Sequence, residues 1–479
     1  MNEIETNTDS LIKTIDEVFS KQQKFALQCR TEPIKARAKR LKKLELWIEK
    51  NQKVIQDAIY KDFKKPGPES SITEIYPILT EIRHALTHLT DWASPTKIDA
   101  PISFIGTTSY IQYEPKGVCL IIAPWNYPFN LCLGPLVSAI AAGNTAIVKP
   151  SEMTPHTAKL IDDMIGELFT EEEVRVFNGG IEVSQHLLSL PFDHIFFTGS
   201  PNVGKIVMKA ASEHLTSVTL ELGGKSPAVV DERADLKDSA EKIAWGKFTN
   251  NGQTCVAPDY VLIHQSVEQG FIKHLKEAIE KFYNDSESGI INSKAYGRIV
   301  NEKHFERINQ LIQNALNQGA ELVRGGDTDP SDNFIPPTVL NNIPDEAEIM
   351  HEEIFGPVLP IKTYSTIEEA ASYINSKPKP LALYYFGGNK KSRKHILTNT
   401  SSGGVCVNET MIHVGHPELP FGGVNNSGIG KSHGKYGFLA FSNEKPVLKQ
   451  RVGLTNVKPL YPPYGTRVRQ MIKILMKYL

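Results

Sequence analysis

Short apolar runs alternating with helical segments between residues 118 and 222 constrain this chain more than any other feature. Val118-Cys119-Leu120-Ile121-Ile122-Ala123 is followed by Thr145-Ala146-Ile147-Val148 and Val174-Arg175-Val176-Phe177. His194-Ile195-Phe196-Phe197-Thr198 and Ser217-Val218-Thr219-Leu220 complete the set. Helical patterns lie between the runs. The clearest is Leu160, Ile161, Met164, Ile165 and Leu168, behind Thr154-Pro155, which reads as an N-cap and a first-turn proline. Strand-like runs separated by helices predict a parallel sheet covered on both faces. Such sheets bind ligands where the strands end, at their carboxyl edge.

The chain has 479 residues, which at roughly 150 per domain predicts about three structural units or two large ones. Before the alternation begins, Leu41, Leu44 and Ile48, then Val54, Ile55 and Ile59, recur near helical spacing among Lys and Glu. The basic run from Lys35 to Lys43 reads as the solvated face of such a helix. Lys plus Arg is 53 and Asp plus Glu is 54. That balance argues against neutralising many phosphates along a nucleic acid. The 32 residues between Lys116 and Lys149 carry no charge. Pro124-Trp125-Asn126-Tyr127-Pro128 interrupts them, so a buried strand, a loop and a buried helix fit better than a membrane span. Five scattered cysteines (29, 119, 132, 255 and 406) read as reduced intracellular thiols, any one a possible nucleophile, and point to a cytoplasmic location. The start, Met1-Asn2-Glu3-Ile4-Glu5, has neither the basic opening nor the apolar run of a signal peptide.

Three segments carry chemistry. After the fourth run, Gly199-Ser200-Pro201-Asn202-Val203-Gly204-Lys205-Ile206 nearly matches a phosphate loop. Ile206 stands where a Ser or Thr would hold Mg²⁺, which removes the NTPase reading. A strand, a glycine turn and a helix start still present backbone N–H groups to an anion, although an ordinary tight turn looks the same. Glu221 sits near the end of an apolar strand in Thr219-Leu220-Glu221-Leu222-Gly223-Gly224-Lys225. Lost hydration there raises a carboxyl pKa towards neutrality, as a general base requires. The alternative is a simple pair with Lys225 or a backbone donor. Cys255 follows the polar loop Asn250-Asn251-Gly252-Gln253-Thr254. A lone cysteine is more often a small buried hydrophobe than a nucleophile.

These last two segments resemble the aldehyde dehydrogenase superfamily. Glu221-Leu222-Gly223-Gly224-Lys225-Ser226-Pro227 and Gly252-Gln253-Thr254-Cys255 lie 34 residues apart from acid to cysteine, as in that family. Further matching segments run along nearly the whole chain. They are Pro124-Trp125-Asn126-Tyr127-Pro128, Lys149-Pro150-Ser151-Glu152, Phe197-Thr198-Gly199-Ser200, Glu353-Ile354-Phe355-Gly356-Pro357-Val358 and Pro420-Phe421-Gly422-Gly423. Trp245-Gly246-Lys247-Phe248, Cys255-Val256-Ala257-Pro258-Asp259-Tyr260 and the tail Tyr461-Pro462-Pro463 look like the class 3 branch, whose members take medium-chain, long-chain and aromatic aldehydes.

The resemblance implies an α/β fold. It joins a Rossmann-like parallel-sheet cofactor domain (1–100 and 114–222) to an α/β catalytic domain carrying the cysteine (223–400). A small β bridging and oligomerisation arm (101–113 and 401–450) and a tail (451–479) complete it. Thr107–Tyr113, Val405–Asn408 and Val447-Leu448 are the arm strands it implies, and a homodimer follows. By the same resemblance Cys255 attacks the aldehyde as a thiolate, and the Asn126 amide with the Cys255 backbone N–H holds the oxyanion. Glu221 activates the water that hydrolyses the thioester. NAD would be the cofactor, with NADP possible. Trp125 joins the cofactor-binding set. Lys149 and Glu152 would meet the adenosine ribose, Gly199, Ser200 and Gly204 the pyrophosphate, Glu353 the nicotinamide ribose, and Phe355 the nicotinamide. Without the resemblance, Glu353 reads as an exposed loop acid and Phe355 as core. Trp245 and Tyr127 are pocket candidates by position and equally core candidates. One departure is Asn425, standing where the family usually has Gly; Asn tolerates left-handed backbone better than other non-glycine residues.

Two relatives of other classes remain as alternatives. A CoA-acylating or thiol acyl-transfer enzyme is disfavoured by Glu221, an acid such members generally lack. A non-catalytic binding protein of the same fold is disfavoured by the intact Cys255, Asn126 and Glu221. No metal site is expected, since the 14 His show no H-x-x-x-H or Cys/His spacing in a supporting context. In the tail, Arg467, Arg469, Lys473 and Lys477 alternate with Val468, Met471, Ile472, Leu475 and Leu479 at helical spacing. About 13 residues cannot span some 30 Å of hydrocarbon. Peripheral contact of 465–479 with an anionic membrane, or docking on the protein's own dimer, suits such a helix equally.

Overall fold

The computed structural model describes residues 2–101, 104, 106–285, 289–453, 455 and 457–478, the side chains of 2–8 and 478 excepted. It contains a six-stranded, a seven-stranded and a three-stranded sheet. The five apolar runs form the parallel part of the six-stranded sheet. Its spatial order is Ser217–Leu222, His194–Gly199, Val118–Ile122, Thr145–Lys149, Val174–Val176. Both faces are covered, as near-continuous apolar strands require. One is packed by the helices between residues 34 and 93 with Asn130–Ala142 and Pro155–Leu168, the other by Asn2–Cys29, Ile181–Ser189 and Pro201–Ser212.

The helix starting at Pro155 forms as expected, but Thr154 is not its cap: the hydroxyl has no partner. The Asp62 carboxylate, from helix Gln52–Phe63, accepts from His156 N and Thr157 N at 2.9 Å each. The basic run lies on helix Ile34–Lys50, and one member leaves the solvated face. Arg37 is buried, with Nη1 donating to Ala141 O near the C-terminus of helix Asn130–Ala142. Cations stabilise that end of a helix dipole.

The second sheet runs Glu321–Arg324, Thr338–Asn341, Val358–Tyr364, Tyr260–His264, Pro227–Val230, Ala382–Phe386, Gly404–Val407. All neighbours are parallel except the first pair. The third sheet pairs Thr107–Pro115 with Ser442–Gln450 and with Thr96–Ile98, all antiparallel. The bridging assignment of 401–450 is therefore divided among three places. Only Ser442–Gln450 joins the arm. Val405–Val407 forms the edge of the second sheet, while Gly428–Ile429 pairs beside Ser217–Leu222 in the first. Helix Gly434–Ala440 belongs with the first sheet because Phe438 and Phe441 pack into its core. Residues 102, 103 and 105 of the predicted arm, and Leu479 of the tail, lie outside the described residues.

Candidate active site

Asn126 follows strand Val118–Ile122, and Glu221 lies at the end of strand Ser217–Leu222. Parallel pairing puts both at the carboxyl edge of the first sheet, with Thr198 beside Glu221 and Gly199 beside Leu222. Cys255 comes from the second unit. Helix Leu236–Phe248 ends, and Asn250, Asn251 and Gly252 then take positive φ of 52°, 54° and 71°. Asn and Gly are the residues that reach this region at least cost. A Cβ on residue 252 would lie 2.2 Å from Gly356 O, so the cysteine loop locks directly against the loop that carries Glu353 and Phe355.

These pieces converge on one cleft of about 500 Å³ between the two sheets. Trp125, Asn126, Gly199, Ser200, Glu221, Cys255, Glu353 and Phe355 all line it. The Trp125 ring meets Phe355 edge-on at 5.3 Å and His304 at 4.9 Å. His304, on helix Glu302–Asn317, is a wall residue that the sequence did not single out. Lys149, Glu152 and Gly204 do not line the cleft. Lys149 is buried, and its Nζ donates to Pro150 O and pairs with Glu152 at 3.1 Å. Gly204 lets helix Pro201–Ser212 lie against the strand: a Cβ there would come within 2.7 Å of Leu222 Cδ2. Tyr127 and Trp245 do not line the cleft either. Tyr127 is core, its hydroxyl 2.6 Å from Thr254 Oγ1, and Trp245 is partly exposed.

Electrostatics divide the titratable groups. Glu221 is buried, and its pKa is pushed up to about 7 by that burial against an opposing bond from Ser432 Oγ. Lys225 is not its partner, since its ammonium is taken by Asp259 and by Ile349 O and Glu352 O. Glu353 is pushed up to about 8 by burial and by Asp259, and its Oε1 is sealed without a hydrogen-bond partner. Cys255 is half-buried. Burial, then the charges of Glu353 and Glu221, push its thiol up, so the resting group keeps its proton rather than standing as the expected thiolate.

A second layer holds these atoms. Asn126 Nδ2 donates to Gln253 O at 3.0 Å. A primary amide has two N–H groups, so one remains for an oxyanion. Asn250 Nδ2 donates to Asn126 O and Gln253 O, and Asn250 N donates to Glu69. Behind them, Lys65 and Glu74 form a buried pair, and Glu74 also accepts from Phe129 N and Asn130 N. The Asn250-Asn251 doublet beside Gly was the only sign of this layer in the sequence.

The cleft suits a dinucleotide. Ser200 caps helix Pro201–Ser212, and Gly199 and Ser200 at that positive helix end line the wall, where a pyrophosphate is favoured. The orphaned Glu353 Oε1 suits a ribose hydroxyl donor. Asn425, the departure from the family pattern, takes φ 56°, the left-handed conformation its position requires.

Known proteins agree with this geometry. The aldehyde dehydrogenase family matches residues 3–447. The 4,4'-diaponeurosporen-aldehyde dehydrogenase of Staphylococcus aureus is 45% identical over 450 residues, 94% of this chain and 96% of that protein. The dimeric NADP-preferring aldehyde dehydrogenase of Rattus norvegicus is 43% identical over 439 residues, 91% of this chain and 94% of that protein. A solved structure of Staphylococcus aureus AldH in a substrate-bound state superposes with a TM-score of 0.92 at 44% identity, covering 96% of this chain and 99% of that one. The chain belongs to the aldehyde dehydrogenase family, whose members oxidise aldehydes to acids with NAD or NADP.

Proposed function

We propose that this chain oxidises medium-chain, long-chain or aromatic aldehydes to carboxylic acids, with NAD or NADP, through a thioester on Cys255. The observation carrying this reading is the convergence of Cys255, Asn126, Glu221 and Glu353 on one cleft. Cys255 Sγ attacks the aldehyde carbon while its proton passes to the Glu221 carboxylate. The new oxyanion accepts from the free Asn126 N–H and from Cys255 N–H; losing one such donor costs about 100- to 1000-fold in rate. A nicotinamide bound beside Phe355 would supply the hydride acceptor, and loss of hydride to it would leave the substrate carbon as a thioester on Cys255. Glu221, its proton shed to solvent, then takes a proton from the water that attacks the thioester carbon. The acid leaves as the sulfur regains its proton. Gly199 and Ser200 would hold the pyrophosphate and Glu353 the nicotinamide ribose, with Phe355 beside the ring, while Glu152, exposed beyond the cleft and positioned by its pair with buried Lys149, would meet the adenosine ribose. Gly204 acts through the helix it lets close on Leu222.

With an aliphatic aldehyde and NAD or NADP, the absorbance of reduced nicotinamide should rise, and Cys255→Ala should abolish the rise. Glu221→Gln should give one slowed turnover of hydride transfer per chain, the thiol having lost its proton acceptor, and then stall. Unchanged steady turnover in Glu221→Gln would refute the base assignment.

A homodimer belongs to the same reading, supported by the dimeric relative and by the unpaired edge of strand Gly404–Val407. A cytoplasmic location accords with five cysteines that form no disulfide. Helix Thr466–Tyr478 is exposed over most of its surface, and no described helix is long and apolar enough to cross a membrane. Val468, Met471, Ile472 and Leu475 share one face, flanked by basic residues. We assign it to the surface of an anionic bilayer, an arrangement that apolar burial and charge both favour. The full chain should co-sediment with phosphatidylserine-containing vesicles, and a chain ending at Thr466 should not. Equal sedimentation would remove the assignment.

A further inference from the structure

Helix Tyr76–Ala93 carries His84 and His88 four residues apart, so both imidazoles leave the same face. Their ring centroids are 4.6 Å apart, and His88 stacks on Trp92, which fixes its plane. Two histidines one turn apart on a helix are often no more than packing. Here a third donor arrives from more than 300 residues away: Glu418 Oε1 lies 3.1 Å from His84 Nε2. The ligand atoms of all three residues lie within 4.8 Å of one another.

Two further observations point to a cation. His84 is mostly buried. Its Nε2 is shielded from solvent and makes no hydrogen bond, despite facing the Glu418 carboxylate. A nitrogen lone pair facing a carboxylate oxygen is repulsive unless a proton or a metal lies between them. Zinc bonds of about 2.0–2.2 Å give tetrahedral edges of about 3.4 Å. The His84–Glu418 separation is close to that edge. Glu418 is exposed and free to rotate, so the wider separations can close by a change of side-chain torsion.

We propose that His84, His88 and Glu418 bind a divalent transition-metal ion of the zinc type, with water completing its shell. Imidazole and carboxylate donors suit zinc, and the open positions allow a water ligand. The ion would fasten the segment around Glu418 to helix Tyr76–Ala93. That segment runs on to Gly434, whose N–H already donates to Glu81 on the same helix at 2.7 Å. Ser432, the partner of Glu221, lies between these two anchors. The H-x-x-x-H spacing of His84 and His88 gave no support for a metal from sequence, because its third ligand is remote in the chain.

The test uses the full chain with Cys255→Ala, which removes the accessible thiol as a competing ligand; the other four cysteines are buried. After treatment with a chelator, the protein is titrated with Zn²⁺ by calorimetry, and bound metal is counted after gel filtration. The expected result is one zinc per chain. His88→Gln and Glu418→Gln should each weaken binding by roughly tenfold or more. Zinc should raise the melting temperature of the parent and not of these variants, which replace a half-buried and an exposed side chain. No retained zinc, or equal retention by parent and variants, would overturn the site.

Discussion

At the scale of single residues, the site depends on how burial sets proton affinity. Cys255 rests as a thiol beside two acids, and in the proposed reaction its activation and its later release both pass through Glu221. A carboxyl at about 7 is half ionised near neutrality and can take or give a proton, as an acid–base catalyst must. Ser432 opposes the effect of burial by donating to Glu221, and so keeps that pKa from rising further. Ser432→Ala should therefore move the acid limb of the pH–rate profile for turnover upward by about one to two units, since a hydrogen bond to a charged group is worth about 1.5–3 kcal/mol. Ser432→Thr should restore it, and single-turnover hydride transfer at high pH should be unaffected. An acid limb that stays in place would remove Ser432 from this role. The three residues proposed for catalysis, which share the cleft, were legible in the chain as motifs. Ser432 was not, because a serine 211 positions from its partner carries no local signal.

Elements decide what those residues can reach. Parallel strands bring Asn126 and Glu221 to one edge, and the left-handed turn at Asn250–Gly252 carries Cys255 to meet them. The same reasoning applies to the outer edge of the second sheet. Gly404 N donates to Leu381 O and Asn408 N to Tyr385 O, so by alternation the amides of Val405 and Val407 point away from the sheet. An open edge of this kind templates pairing with another chain. Light scattering of the wild-type protein should give twice the chain mass. Val405→Pro with Val407→Pro deletes only outward donors and should shift the mass to that of one chain. A dimer that survives would place the interface elsewhere. The strands themselves were readable from period and β-branched content. Their sheet membership was not: Val405–Val407 looked like an arm strand and pairs instead beside Ala382–Phe386.

For the molecule as a whole, the buried acids set the response to pH. Glu69, Glu81 and Glu221 are pushed up to about 7 and Glu353 to about 8 from an ordinary 4.5, in each case chiefly by burial. Where folded pKa values exceed unfolded ones, the native state holds more protons, and stability falls as pH rises towards the folded value. His304, His413 and His433, lowered to about 4 from 6.5, act oppositely, but only below 6.5. The melting temperature should thus decline between pH 6.5 and 8, and Glu81→Gln, outside the cleft, should flatten the decline. A flat or rising wild-type curve would contradict this account. The sequence alone determined the alternation that makes the first sheet, the family, and the candidates for nucleophile and acid, because periodicity and short motifs are local properties of a chain. Tertiary structure alone decided that Asp62 rather than Thr154 caps a helix, that Lys225 turns to Asp259 and leaves Glu221 to Ser432, and that Glu418 reaches His84. Each is a contact between distant segments, chosen by where packing leaves a buried polar atom and which group can satisfy it.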